Sequence, residues 1–302
     1  MYGGSEYWFI TARCAHARKL MSPDVPLIRE VCGGVLARSA RIHRVGIFGY
    51  VFMSNHLHLA IRARGKAVAN FLRHLMGNLS LKLARLSPEP WRNSFWETRT
   101  SVIAILDLAA LKERLRYIAA HAVKEGIFER AEQWPGLHCA QQLVDRKPLS
   151  FKWFGWTRRW NSRKRQDFDL ESTSDRFADE WAEVEKLTLE DLPEWSALEE
   201  PQRRETVQAF VDHAAHYPRR KALGYEGFKL SASAVYPTHR KVQQQPRCHA
   251  SSREDRKAYR EQYRAFCEAF RAAAMAWLEG DLDAQFPEHS FRPYLPTEEQ
   301  II

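Results

Sequence analysis

Apolar and polar positions along the chain follow two different periods, and the changes of period divide it into elements. Residues 7–12 (YWFITA) predict a first strand, which delivers Arg13, His16, Arg18 and Lys19 at its end. Asp24-Val25-Pro26 predicts a helix start, with Leu27, Ile28, Val31, Val35 and Leu36 at helical spacing as far as about Arg41. The run 45–53 is rich in Val, Ile, Phe and Tyr; after Ser54-Asn55 the chain resumes as HLHLAI, which predicts a β-hairpin. Lys66–Leu86 keeps Val68, Phe71, Leu72, Leu75, Leu79 and Leu83 on one helical face, with Arg73, His74, Lys82 and Arg85 on the other, before Ser87-Pro88-Glu89-Pro90 ends it. Residues 93–105 predict one or two short strands. Residues 107–126 predict a helix capped by Asp107 and closed by Gly126, with Leu108, Leu111, Leu115, Ile118 and Ala122 as its buried stripe.

Beyond Trp134-Pro135-Gly136 the character changes. Residues 152–165 hold six cations, Arg158 and Arg159 among them, and no acid, interleaved with Trp153, Phe154, Trp156 and Trp160. Cations for phosphates and flat rings for unstacked bases suit single-strand binding; a partly buried linker whose tryptophans pack on the first domain fits equally. Residues 167–200 reverse the sign, with 13 acids against Arg176 and Lys186. They read as a solvated acidic helix, or as a cover over the basic surface that competes with nucleic acid. Residues 201–217 predict a helix, 218–250 show little periodicity, and 251–280 predict a long helix with Tyr259, Tyr263, Phe266, Phe270, Ala273 and Trp277 on a packing face. The tail from 281 is Pro-rich and irregular.

Charge sharpens this picture. Residues 1–150 carry 22 Lys+Arg against 11 Asp+Glu, a net of +11, whereas 151–302 carry 24 against 26, a net of −2. A basic first half suits a polyanion, and a protein-interaction scaffold would leave it without a use. Five scattered cysteines, apolar runs too short for a membrane span and an N-terminus without a signal-peptide pattern predict a cytoplasmic protein with reduced thiols.

The candidate chemistry lies in the hairpin and the helix after it. Side chains alternate along a strand, so His56 and His58 project from one face while Leu57 and Leu59 enter a core. Two neutral imidazoles can chelate a divalent cation, given further ligands. Tyr117 and His121 are i and i+4 and share a helical face, with Arg114 and Lys124 close by.

Taken together, these pieces resemble the IS200-like single-tyrosine HUH transposases, the REP-associated tyrosine transposases above all. The resemblance rests on the first strand leading into TARC, MSNHLHLAI, FWETR and RYIAAHAVKEGIFERAEQWP, over about residues 7–137. It implies an α+β fold, an antiparallel sheet flanked by helices of the HUH or ferredoxin-like nuclease kind, with a largely helical C-terminal extension. It implies His56 and His58 as metal ligands and Tyr117 as nucleophile. His121 stands where relatives usually place Asn or Gln, and Ala122 where they commonly have proline; histidine is a competent ligand and favours manganese or another softer ion over magnesium, Mg²⁺ or Mn²⁺ being the cofactor implied. PRCHASSREDRKAY and FPEHSFRP resemble the long extension of some members. The reading is therefore a metal-dependent endonuclease and strand transferase that cuts single-stranded, hairpin-associated DNA through a 5′-phosphotyrosine. The alternative is a domesticated hairpin-binding protein that does not cut. Expected DNA contacts are Arg13, Arg62, Arg73, Arg99, Arg114, Lys124, Arg158 and Arg159, with Trp96 for base stacking. The expected layout is a catalytic unit over 1–147, a basic-aromatic then acidic linking region over 148–200 and a mainly helical extension over 201–302, as a monomer or homodimer.

Overall fold

The computed structural model describes residues 6–86, 94–97, 100–163, 174–214, 216–218, 246–288 and 290–293. Its centre is a five-stranded sheet made of β1 (Tyr7–Arg13), β2 (Gly46–Phe52), β3 (His56–Arg62), β4 (Ser101–Ile105) and the two-residue strand Cys248–His249. Between them lie α1 (Ile28–His43) and α2 (Lys66–Leu86). The spatial order is β2-β3-β1-β4 with Cys248–His249 outermost, and every pairing is antiparallel except the last. A β-α-β-β-α-β succession in that order is the ferredoxin-like arrangement. The expected α+β architecture is what the chain adopts.

Strand parity assigns the two faces. Leu57, Leu59 and Ile61 are fully buried in the main core, on the side where α1 and α2 pack together. Register sets Thr11 opposite His58 and Arg13 opposite His56, so these four residues share the other face, which α3 (Leu108–Ala119) covers. Asp107 caps α3 as expected by accepting the Ala110 N–H at 2.8 Å. The helix ends sooner than the pattern predicts, at Ala119, and a single further turn, α4 (His121–Lys124), follows across Ala120. Leu108, expected in the buried stripe, is 44% exposed because it sits in the first turn.

Two further expectations are corrected here. The first long helix begins at Ile28 and not at Asp24: residues 22–27 turn back on themselves, with Val25 N–H on the Ser22 carbonyl and Leu27 in the left-handed region at φ 68°. A residue before proline resists helical geometry, which Val25-Pro26 illustrates. Lys82, expected on a polar face, is buried. Its ammonium donates to the Phe154 carbonyl at 2.6 Å and lies over the Trp153 and Trp156 rings at 4.4 and 4.3 Å. Burial lowers its pKa to about 8.

Residues 140–214 add α5 (Ala140–Asp145), β5 (Leu149–Phe154), α6 (Trp156–Arg163), β6 (Ala182–Leu187), α7 (Pro193–Ser196) and α8 (Glu200–Ala214). β5 and β6 form an antiparallel pair that lies on α1. Contact is close because α1 has Gly33 and Gly34 there: a Cβ on the first would strike the Phe151 ring, and on the second the Lys152 carbonyl. Over its described part the acidic stretch is thus a strand with short helical turns, α7 among them, and not one solvated helix. Its carboxylates meet cations of the first half: Glu185 binds Arg38 at 2.8 Å and Arg41 at 2.7 Å, and Glu183 binds Arg38 at 2.6 Å. Trp153 and Phe154 are buried and Trp156 half-buried, as the packing alternative expects, while Trp160 is exposed.

The stretch 134–139 closes the free edge of β2. Phe52 N–H donates to Leu137, Cys139 N–H to Tyr50 and the Trp134 indole to Phe52, which satisfies an edge that would otherwise invite pairing. His138 sits in this seam. Its Nδ1 accepts the Ala140 N–H at 3.0 Å and its Nε2 donates to the Ile118 carbonyl at 3.2 Å, the pattern of a neutral ring. Burial lowers its pKa to about 4 from 6.5. A proton bound only in the unfolded chain makes the contribution complete above pH 6.5, with loss as pH falls towards 4. The gap corresponds to about 3 kcal/mol at most, since the residue keeps partial exposure, and roughly 2 kcal/mol should be gone by pH 5. Urea unfolding at pH 7.5 and pH 5 measures this; a His138→Gln variant should lose correspondingly less stability over the same interval.

In the C-terminal part the outermost strand (Cys248–His249) is β7, and α9 (Arg253–Leu278) follows with Ser252 as its N-cap. Asp107 links it to the first half, its second carboxylate oxygen accepting the Ser251 N–H at 2.8 Å. All five cysteines are free thiols. Among the described residues no helix is long and apolar enough to cross a membrane.

Candidate metal and nucleophile site

β3 and the α3–α4 junction bring His56, His58 and His121 together. Their ligand atoms lie within 4.8 Å of one another, so the triad could hold a metal ion. His58 and His121 are buried and His56 half-buried. The neighbours orient each ring. His56 Nδ1 donates to Asn55 Oδ1 at 2.6 Å, which leaves its Nε2 lone pair facing inward. Thr11 Oγ1 lies 2.9 Å from His58 Nδ1 and likewise directs the Nε2 edge of that ring away from β1. Phe9 stacks on His58 with ring centres 5.3 Å apart.

His121 Nε2 is 2.7 Å from His56 Nε2, and its Nδ1 is buried without a hydrogen-bond partner. Glu125, one turn on, brings a carboxylate oxygen within 3.9 Å of His121 Nε2. Burial holds both His58 and His121 well below the ordinary imidazole pKa, and for each the next contributor is a neighbouring histidine. Neutral rings with converging lone pairs are what a cation requires. Three imidazole nitrogens with one nearby carboxylate suit manganese or zinc better than magnesium, which prefers oxygen.

Tyr117 stands against the triad, its ring 5.3 Å from His58 and 5.1 Å from His121, and edge-on to Phe9 at 5.9 Å. Cations flank it: Arg114 lies 5.4 Å and Lys124 5.0 Å from the ring centre. Lys124 also pairs with Glu125 at 2.7 Å. Arg13 acts electrostatically on His58, and its Nε is buried with no hydrogen-bond partner among the described residues.

Of the other expected DNA contacts, Trp96 stands at the triad end of the sheet, where it pairs with Cys14 beside Arg13, and the rest lie elsewhere. Arg62 shares the histidine face of β3 but stands six residues along it, about 20 Å away, where Glu190 holds its guanidinium through two bonds of 2.8 and 2.6 Å. Arg73 is exposed on α2 and bonds Asn70. The Trp96 indole is tied to the Met76 carbonyl at 3.0 Å. Arg158 is exposed and Arg159 buried on α6, beside the β5–β6 pair. Arg99, Lys164 and Arg165 lie outside the described residues. A cavity of about 850 Å³ lies at the Arg62 end and contains none of the triad; converging chemistry locates the site better than volume does.

Several residues at the site carry no signal in the sequence reading. Thr11 requires knowledge of the β1–β3 register. His249 on β7, with its ring 5.5 Å from Phe9 and burial lowering its pKa to about 4, arrives from far along the chain. Tyr217 packs edge-on to Tyr117 at 6.4 Å. Asn55 and Glu125 could have been found, being next to His56 and one helical turn from His121.

No protein-family model matches the chain, and no curated protein matches it. Among solved structures it is similar to a REP-associated tyrosine transposase bound to a REP hairpin. Identity is 17%, 48% of this chain and 84% of that one are covered, and the TM-score is 0.40. A protein assigned as a transposase, from Deinococcus radiodurans R1, is similar at 14% identity over 37% of this chain and 88% of that one, with a TM-score of 0.30.

Proposed function

We propose that the chain is a metal-dependent DNA nuclease and strand transferase acting on a single strand beside a hairpin, with its catalytic unit in residues 1–147. The observation that carries this is the phenol of Tyr117, flanked by two cations and in ring contact with two of three histidines able to hold one ion. A divalent ion on His56, His58 and His121, manganese fitting the donors better than magnesium, would polarise a phosphodiester as a Lewis acid.

The chain's own groups do the rest. The Tyr117 oxygen attacks phosphorus, the bond to the 3′-oxygen breaks, and the 5′ side remains on the tyrosine as a phosphodiester. The phenol gives up its proton and the departing 3′-oxygen gains one, so no proton is consumed overall. Arg114 and Lys124 stabilise negative charge as it develops on the phenol and phosphate. Arg13 offers a further guanidinium to phosphate. Attack by a 3′-hydroxyl on the phosphotyrosine reverses the step and joins strands without ATP, because the ester bond is conserved.

The direct test incubates the protein with single-stranded hairpin oligonucleotides and Mn²⁺ or Mg²⁺, then looks for a covalent adduct on a denaturing gel. Tyr117→Phe should reduce it by at least about 10³-fold, the scale of nucleophile removals. The 2.7 Å contact between His56 and His121 favours a second reading, a hairpin-binding protein with a closed triad that does not cut. Tight binding without adduct at either metal would select it; absence of both would reject DNA as the ligand.

A further inference from the structure

α9 carries two stripes of different character. Tyr259 packs on the main core, and Phe270 and Trp277 meet Phe286 with ring centres 5.6 and 6.3 Å apart. At about 100° per residue, Arg253, Arg256, Lys257, Arg260, Arg264 and Arg271 fall in a separate sector roughly 100° wide. All six are exposed. They line a groove of about 840 Å³ and extend about 27 Å along the axis.

Several cations of the first half and of α8 are already neutralised. Arg38, Arg41, Arg62 and Arg203 are each held by a carboxylate. On α9 Lys257 has Glu261 at 3.9 Å, whereas Arg253, Arg260, Arg264 and Arg271 have no carboxylate partner among the described residues. Glu183, Glu185 and Glu190 thus neutralise α1 and the end of β3, and no acid of residues 176–200 pairs with the α9 stripe among the described residues. The stripe also joins the site: a second cavity, of about 430 Å³, is lined by Arg114, His249 and Arg256.

We propose that this stripe binds the phosphate backbone of the duplex stem of a DNA whose unpaired end occupies the histidine–tyrosine site, an inference that rests on the function proposed above. Guanidiniums in a line match phosphate oxygens, and about 27 Å spans roughly eight base steps of 3.4 Å. Tyr263 also lines the groove but is half-buried and lies just outside the cationic sector, so the exposed stripe itself offers no ring on which a run of unpaired bases could stack. Contacts of this kind set position without reading sequence. An anionic bilayer would need the aromatic face of α9, where Tyr259 already packs on the main core and Phe270 and Trp277 on Phe286.

The test compares full-length protein with Arg260→Gln/Arg264→Gln/Arg271→Gln in binding a stem-loop with an unpaired tail, and the tail alone, across about 50–200 mM salt. The slope of log K against log salt for the stem-loop should become shallower by about 2–3, since each phosphate contact contributes about 0.9. Affinity should fall at least tenfold, and much less for the tail. Arg130→Gln/Arg204→Gln, which removes cations already paired with Asp212 and Asp145, should keep the original slope. An unchanged slope in the triple variant, an equal loss on the tail, or binding to anionic phospholipid vesicles in place of the stem-loop would overturn the proposal. Binding does not depend on Tyr117 chemistry: a slope change without adduct supports the stripe and rejects cutting, while adduct with an unchanged slope rejects the stripe alone.

Discussion

Arg203→Met is expected to destabilise the protein by about 3–5 kcal/mol, the range for breaking a buried ion pair from one side. The Arg203 side chain is 1% exposed and grips Asp191 through Nε at 2.7 Å and Nη2 at 2.6 Å. The same guanidinium donates to the carbonyls of Leu143 and Val144 at 2.8 and 3.1 Å. It therefore ties α8 to the end of α5 and to the loop after β6. Methionine would fill the volume yet leave two carbonyls without a donor and Asp191 with only Arg146 at 3.2 Å. Adding Asp191→Asn removes the orphaned charge, so the double variant should recover part of the loss. Urea unfolding of the two singles and the double measures the coupling; additive losses would mean that the pair contributes as two independent groups.

That pair marks where sequence reading reaches its limit. Parity along HLHLAI was enough to separate His56 and His58 from Leu57 and Leu59, because strand alternation is a local property. The spacing of Tyr117 and His121 was enough to place them on one face, and the break at Ala120 did not part them. Asp107 was legible as a cap for the same local reason. The bond of Asp107 to Ser251 was not, since 144 residues intervene. The acidic stretch was legible by half: the solvated helix fails, while the alternative of a cover over basic surface agrees with Glu183 and Glu185 meeting the arginines of α1, some 145 residues earlier. Lys82 misled because its polarity suggested exposure, while Trp153, Trp156 and the Phe154 carbonyl supply a buried seat for it. β7 has two residues, too few for any period to show.

The largest effect on ligand binding is expected at His121. His121→Ala should lower Mn²⁺ affinity by more than about 100-fold, the upper scale even for losses in the shell that orients metal ligands. The imidazole lies between His56 and Glu125, and the buried Nδ1 has no hydrogen-bond partner. His121→Gln offers an oxygen in place of nitrogen and should move preference from Mn²⁺ towards Mg²⁺, because magnesium favours oxygen donors. Thr11 isolates the orienting effect. Its hydroxyl, 2.9 Å from His58 Nδ1, can be removed as Thr11→Val or kept as Thr11→Ser. The valine variant should bind Mn²⁺ about 10–100-fold more weakly, and the serine variant close to the original protein. Titration calorimetry on the three proteins and both His121 variants reads this directly, without DNA. Equal Mn²⁺ affinity in the original protein and His121→Ala would remove His121 from the ligand set. Loss in both Thr11 variants alike would mean that methyl packing against β3, and not the hydroxyl, holds His58 in place.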